Sequence, residues 1–228
     1  MLRLLFQGDS ITDGNRYKEE RKRWDLNHQI GHSYVFDIVG ELGTKYPGKF
    51  CFINRGVSGD SVSTIAPRWQ AETIDEKPDI LSVLLGINGN GKRNGVFPLG
   101  EDEHVRVFDE GYRALLSSAR KANPDLKLIL IEPFSLPVGE MKPTYAEFYA
   151  VFSRMQAAVK KIAEDFGAAF VPVQNKLERL VEKTAPILAA NGCPTDPYAY
   201  WLWDGVHPTE PMHKVLADLW LKEFYKII

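Results

Sequence analysis

Apolar residues fall along the chain in two alternating rhythms. Near-continuous runs of strand length open at residue 2 (Leu4, Leu5, Phe6) and recur at Phe50 to Ile53, Asp79 to Leu85, Leu126 to Ile131 and Ala168 to Val171. Such runs suit strands buried on both faces of a parallel sheet. Between them the apolar positions shift to helical spacing. Val35, Ile38, Val39 and Leu42 define a helix over Tyr34 to Tyr46, closed by Pro47-Gly48, and Phe148, Val151, Phe152, Met155, Val159 and Ile162 define one over Tyr145 to Phe166. Helices are also predicted over Val62 to Thr73, Val105 to Ala122 and Gln174 to Leu188, the last interrupted at Pro186, with a closing helix after Thr209. Five strands alternating with helices, each crossover long enough for a right-handed connection, predict an α/β fold: a three-layer α/β/α sandwich around one five-stranded parallel sheet. No internal repeat or linker divides residues 1–228, so one domain is expected.

The polar positions matter most where the strands stop. The first run ends at Gly8-Asp9-Ser10-Ile11-Thr12-Asp13, the second at Asn54-Arg55-Gly56-Val57-Ser58-Gly59-Asp60 and the third at Gly86-Ile87-Asn88-Gly89. In an open parallel sheet the loops at the carboxyl ends of the strands form the ligand crevice, so the hydroxyl of Ser10 is a candidate nucleophile. Gly59-Asp60-Ser61 repeats the tripeptide, so at least one copy serves another purpose. Asn15 to Asp25 mixes five basic with three acidic residues and reads as a solvated face, and the glycine-bearing connection Gly89 to His104 reads as a lid or a passive loop.

Composition narrows the function. With 28 basic and 30 acidic residues and a net charge of -2, no overall field favours a polyanion, which argues against nucleic acid. Cys51 and Cys193 lack metal-like spacing, and Cys51 lies in an apolar run as a buried thiol would. No apolar run approaches the ~18 residues of a membrane span, and nothing before the first strand resembles a leader, so a cytoplasmic protein is expected unless a leader has been removed.

A serine hydroxyl is nearly inert at neutral pH and needs a base within hydrogen-bond reach, itself oriented by a third group. Trp201-Leu202-Trp203-Asp204-Gly205-Val206-His207-Pro208-Thr209 supplies both: Asp204, three residues before His207, can fold back on the imidazole and leave the other nitrogen for Ser10. The alternative is an N-cap at Thr209 preceded by a purely structural Asp–His pair. Acyl transfer also needs donors at the developing oxyanion, and the backbone of Gly59, the amide of Asn88 and Ser10's own N–H are candidates. Taken singly, Gly59 and Asn88 are better read as turn residues.

These motifs stand in order, and together they resemble the SGNH hydrolases of the GDSL esterase family. The resemblance rests on Gly8-Asp9-Ser10, Gly59, Gly86-Ile87-Asn88 and Asp204-Gly205-Val206-His207, and it spans residues 8 to 207. It implies a flavodoxin-like strand order and a Ser10–His207–Asp204 esterase mechanism with an oxyanion hole of Ser10, Gly59 and Asn88, and it makes Ser10 rather than Ser61 the nucleophile. Asn54 to Asp60, Ala66-Pro67-Arg68-Trp69 and the tryptophan before Asp204 are similar to the intracellular acetyl-xylooligosaccharide esterases of that family. Most members carry aspartate after the block-three asparagine, where this chain has Gly89. A Gly-x-Ser-x-Gly elbow is absent, against an α/β-hydrolase.

The expected substrate is a small acetylated carbohydrate, with no metal and no cofactor required. Asp9, Trp201 and Trp203 are candidate substrate contacts, and Tyr198 and Tyr200 lie in the same aromatic stretch, which equally suits core packing or a homo-oligomer interface. No long apolar patch in the sequence suggests a lipid groove. The competing readings are a lipid-directed acylhydrolase and a carbohydrate-binding member of the fold with weakened turnover.

Overall fold

The computed structural model describes residues 1–18, 27–89 and 100–228. Five parallel strands, β1 (Leu2–Gly8), β2 (Phe50–Asn54), β3 (Ile80–Leu84), β4 (Lys127–Ile131) and β5 (Ala169–Val171), form one sheet in the order β2-β1-β3-β4-β5. This is the flavodoxin-like order, and its direction reverses between β1 and β3, where the crevice of an open α/β sheet lies.

Strand geometry sends neighbouring side chains to opposite faces, and each face has its own core. Leu4, Phe6, Ile80, Leu84, Ile129 and Ile131 meet one set of helices, whereas Leu5, Leu81, Val83, Leu128 and Leu130 meet the other. The first layer holds α3 (Tyr34–Lys45), most of α7 (Gln174–Ala190) and α8 (Glu210–Phe224). The second is built from α4 (Val62–Ile65), α5 (Glu101–Ala122) and much of α6 (Tyr145–Asp165). Two single-turn helices, α1 (Ser10–Asp13) and α2 (Asn27–Ile30), precede α3. Ser82, fully buried in β3, accepts the indole N–H of Trp220 at 2.9 Å, so its hydroxyl is satisfied inside the core.

Several expectations need correcting. The helix predicted over Val62 to Thr73 is broken into α4, a 3-10 turn (Ala66–Arg68) holding Pro67 and a π-helical turn (Gln70–Ile74). Gln7 of β1, fully buried, accounts for the last: its amide donates to Glu72 O at 3.1 Å and Thr73 Oγ1 at 2.7 Å, inserting into the widened turn. α7 continues through Pro186; that residue and Glu182, four before it, are both exposed, so water can solvate the carbonyl that the proline leaves without a helical partner. Cys51 is only half-buried because β2 is an edge strand, and both cysteines are free. Arg16, expected on a solvated face, is buried and donates from Nε to Gly56 O at 2.9 Å. Residues 19–26 of that charged stretch and residues 90–99 of the predicted lid lie outside the described residues. Among the described residues no helix is long and apolar enough to cross a membrane.

Candidate active site

β1 delivers its polar tail onto a tight turn. Asp9 is the N-cap of α1, its Oδ1 accepting the Ile11 N–H at 3.0 Å, and Ser10 opens the turn half-buried at the sheet edge. The loop from Asp204 to His207 reaches the same point. Asp204 Oδ1 accepts the N–H groups of Val206 (2.9 Å) and His207 (2.8 Å), an Asx-type turn that folds the carboxylate back on its own imidazole. Asp204 Oδ2 lies 2.6 Å from His207 Nδ1, and His207 Nε2 lies 2.8 Å from Ser10 Oγ. With Nδ1–H donating to the carboxylate, Nε2 carries a lone pair toward the Ser10 hydroxyl.

Electrostatics agree with that assignment. Burial alone raises the Asp204 carboxyl, but the backbone N–H and ring of His207 and the N–H of Val206 outweigh it and hold the group below its ordinary value. His213, in the first turn of α8, is pushed down to about 4 by burial, with the His207 ring adding to the effect. Its Nδ1 accepts the Tyr34 N–H at 3.1 Å, so a neutral ring sits behind the site. No sequence pattern marked His213 for this position.

The other two strand-end loops flank the pair. At Gly59 no atom lies within 4 Å of where a Cβ would stand, which leaves this backbone open to an approaching ligand. Asn88 donates one amide hydrogen to Asp60 O at 3.1 Å; an amide carries two, and the second makes no hydrogen bond among the described residues. This bond joins the second and third loops. Gly89 itself has φ +74°, and a Cβ there would stand 2.8 Å from Ser61 Cβ. Ser61 caps α4, its N–H donating to Thr64 Oγ1 at 2.8 Å, which explains the second Gly-Asp-Ser. Asp60 is gripped by Arg68, which also bonds Glu72 and Arg55 O. Asn54 donates to Thr12 O (2.8 Å) and Ile30 O (2.7 Å) and accepts from the Gly56 N–H (2.9 Å), tying the first loop to the second.

Three expectations about side chains need revision. Asp9 is fully buried and pushed up to about 7 by that burial, the nearby Asp60 charge adding to it against the Ile11 N–H; it has no face for substrate. Trp201 is buried too, its indole donating to Thr184 Oγ1 at 3.0 Å. Trp203, by contrast, is 61% exposed and stacks on the His207 ring with centroids 5.5 Å apart and planes 18° off parallel. Thr209 stands at the N-cap of α8 without capping it; its hydroxyl donates back to Tyr200 O at 2.7 Å. An apolar groove of about 730 Å³ opens beside Asn88 and Gly89, walled by Val62, Trp69, Ile74, Phe108 and Leu115, a feature that arises only when α5 is laid against α4. Among the described residues no group of three or more His, Cys, Asp or Glu is placed to hold a metal ion.

Known proteins match this architecture along nearly the whole chain. The family model described as "GDSL-like Lipase/Acylhydrolase family" matches residues 6–215. An acetylxylan esterase from Geobacillus stearothermophilus is 31% identical over 223 residues, covering 97% of this chain and 93% of that protein. The crystal structure of an acetylxylan esterase from the same organism aligns with a TM-score of 0.72 at 30% identity over 97% of this chain and 93% of its own, and solved catalytic mutants of it replace a serine and an aspartate by alanine. A putative GDSL-like lipase from Parabacteroides merdae aligns with a TM-score of 0.81 at 29% identity over 97% and 94% of the two chains. LAE5, an alpha/beta hydrolase enzyme from the metagenome of Lake Arreo in Spain, gives 0.75 at 27% identity over 100% and 96%.

Proposed function

Since the chain belongs to the GDSL-like lipase/acylhydrolase family and is a carboxylic ester hydrolase, we propose that it removes short acyl groups, chiefly acetyl, from a small carbohydrate with Ser10 as nucleophile. One observation carries the reading: Ser10 Oγ, His207 Nε2, His207 Nδ1 and Asp204 Oδ2 form an unbroken chain with contacts of 2.8 and 2.6 Å. In this mechanism His207 takes the hydroxyl proton as Ser10 Oγ bonds to the ester carbonyl carbon. Asp204 stabilises the imidazolium while remaining ionised. The carbonyl oxygen becomes an oxyanion facing the N–H groups of Ser10 and Gly59 and the free amide hydrogen of Asn88. Collapse breaks the bond to the sugar oxygen, which leaves with the proton from His207. Water, deprotonated by the same ring, then releases the acid and restores Ser10.

The carbohydrate part of the proposal is supported by the similarity to the acetylxylan esterase of Geobacillus stearothermophilus and by Trp203. An exposed indole beside the reacting pair offers an apolar face to the C–H side of a pyranose ring. A single protein unit over residues 1–228, inside the cell and acting without a cofactor, completes the reading. A second reading, a lipid-directed acylhydrolase, is favoured by the apolar groove that opens at Asn88.

Rates on p-nitrophenyl esters of increasing chain length separate the two, together with Ser10→Ala. The proposal expects cleavage to fall beyond acetyl or propionyl and to vanish in Ser10→Ala, with the same melting curve as the parent. Rates rising toward octanoyl select the lipid reading. Undiminished turnover in Ser10→Ala removes Ser10 from the chemistry altogether.

A further inference from the structure

The pair Asp204–His207 sits on a loop that β5 does not hold, because all of α7 intervenes. Its anchor is the segment after β4. The carbonyl of Gly205 accepts two hydrogen bonds from that segment, one from Ser135 Oγ (2.8 Å) and one from the Leu136 N–H (2.9 Å). Gly205 directly follows Asp204 and precedes the two N–H groups that Asp204 Oδ1 accepts, so this carbonyl is the fixed point about which the acid and the base are arranged. The approach is close: with φ +89°, a Cβ on Gly205 would stand 2.5 Å from Leu136 O.

Ser135 is itself held from both sides. It is fully buried, its N–H donates to Gln174 Oε1 (3.0 Å), and its carbonyl accepts from Gln174 Nε2 (3.0 Å) and from Tyr145 Oη (2.7 Å). Gln174, buried at the start of α7, thus pairs with Ser135 through both ends of one amide, as a neighbouring strand does. Its own backbone is fixed as well, since Glu132 Oε2 accepts the N–H groups of Val173 (2.6 Å) and Gln174 (2.9 Å) at a helix end that lacks a local side-chain cap. A polar network of this kind, buried and fully paired, holds one arrangement and disfavours others.

We propose that Ser135, oriented by Gln174, is a positioning residue for the ester hydrolysis: its hydroxyl fixes the Gly205 carbonyl and through it the direction of His207 Nε2 toward Ser10. The inference rests on the Ser10–His207–Asp204 reading above. The hydroxyl touches neither substrate nor reacting atoms, so its removal alters how often the imidazole is in line rather than how substrate binds. Partners that orient metal-bound histidines are worth about 10- to 100-fold in activity, and misplacing a catalytic group by ~1 Å can cost on the order of 100-fold.

The test compares the parent with Ser135→Ala, the isosteric weak donor Ser135→Cys and the hydroxyl-retaining Ser135→Thr. Their kcat and KM on p-nitrophenyl acetate are measured across pH, alongside the rate of Ser10 labelling by a fluorophosphonate. Ser135→Ala is expected to lower kcat and the labelling rate about 10- to 100-fold, leave KM within about twofold, and move the acid limb of the kcat/KM profile by about half a pH unit or more. Ser135→Thr restores most of the loss, and Ser135→Cys falls between the two. If Ser135→Ala does not fold, the contrast between Cys and Thr carries the same reading. A folded variant with lowered melting temperature but unchanged kcat, labelling and pH profile overturns the proposal. Absence of labelling at Ser10 in the parent defeats instead the reading of the active site on which it rests.

Discussion

Replacing Asp9 by Asn isolates the cost of the carboxyl that stands beside the proposed nucleophile. The side chain is fully buried; Oδ1 accepts the Ile11 N–H, and Oδ2 has no hydrogen-bond partner among the described residues. Burial raises the group from 3.8 to about 7. The sign follows from which state holds the proton more tightly. Below pH 3.8 the acid is neutral folded and unfolded, so its contribution to stability is fully present. Between 3.8 and about 7 the unfolded chain ionises while the folded protein keeps its proton, so this contribution is lost at roughly 1.4 kcal/mol per pH unit, and it levels off above the folded value. Three units amount to about 4 kcal/mol, a large share of the ~5–15 kcal/mol that usually holds a domain together. Asn keeps the shape and the acceptor for Ile11 but cannot ionise. Urea unfolding of both proteins at pH 4, 5, 6, 7 and 8 cancels every other titrating group in the difference between the curves. That difference is expected to move by about 4 kcal/mol in favour of the Asn variant from pH 4 to pH 8. A flat difference would falsify the conclusion that burial keeps this carboxyl protonated in the folded protein well above pH 3.8.

Two other substitutions test the loops around the site. Gly89→Asp puts a carboxylate directly after Asn88, yet at φ +74°, with Ser61 Cβ in the way, it is expected to destabilise by at least about 1–2 kcal/mol and to lower kcat by disturbing the Asn88–Asp60 bond; a denaturation midpoint and kcat at or above the parent's reject this. Trp203→Ala removes an exposed side chain, so the melting temperature changes little, while KM for an acetylated xylooligosaccharide rises severalfold and p-nitrophenyl acetate is nearly unaffected. Equal losses on the two substrates assign Trp203 to supporting His207 rather than to binding sugar.

The sequence by itself determined the layers. Strand-length apolar runs and helical spacing specify five parallel strands because burial on both faces admits no other pattern, and helix starts such as Tyr34, Tyr145 and Gln174 were legible to the residue. It also marked Ser10, Gly59 and Asn88, since a polar residue or glycine that ends an apolar run contradicts packing and calls for a reason, and Asp204 with His207, whose three-residue spacing suits a carboxylate folded back on its imidazole. Tertiary structure alone decided what those residues meet. Asp9 and Trp203 are equally conspicuous as letters, but one is fully buried at the start of α1 and the other lies open on His207, because exposure depends on which segments fold over a residue. The π-helical turn that ends the segment after Val62 meets Gln7, 65 positions away from the carbonyl of Glu72 that it bonds. Ser135 and Gln174 carry no local signal at all: their role exists only once the segment after β4, the start of α7 and Gly205 are brought together, and hydrogen-bond partners that far apart in the chain leave no periodicity to read.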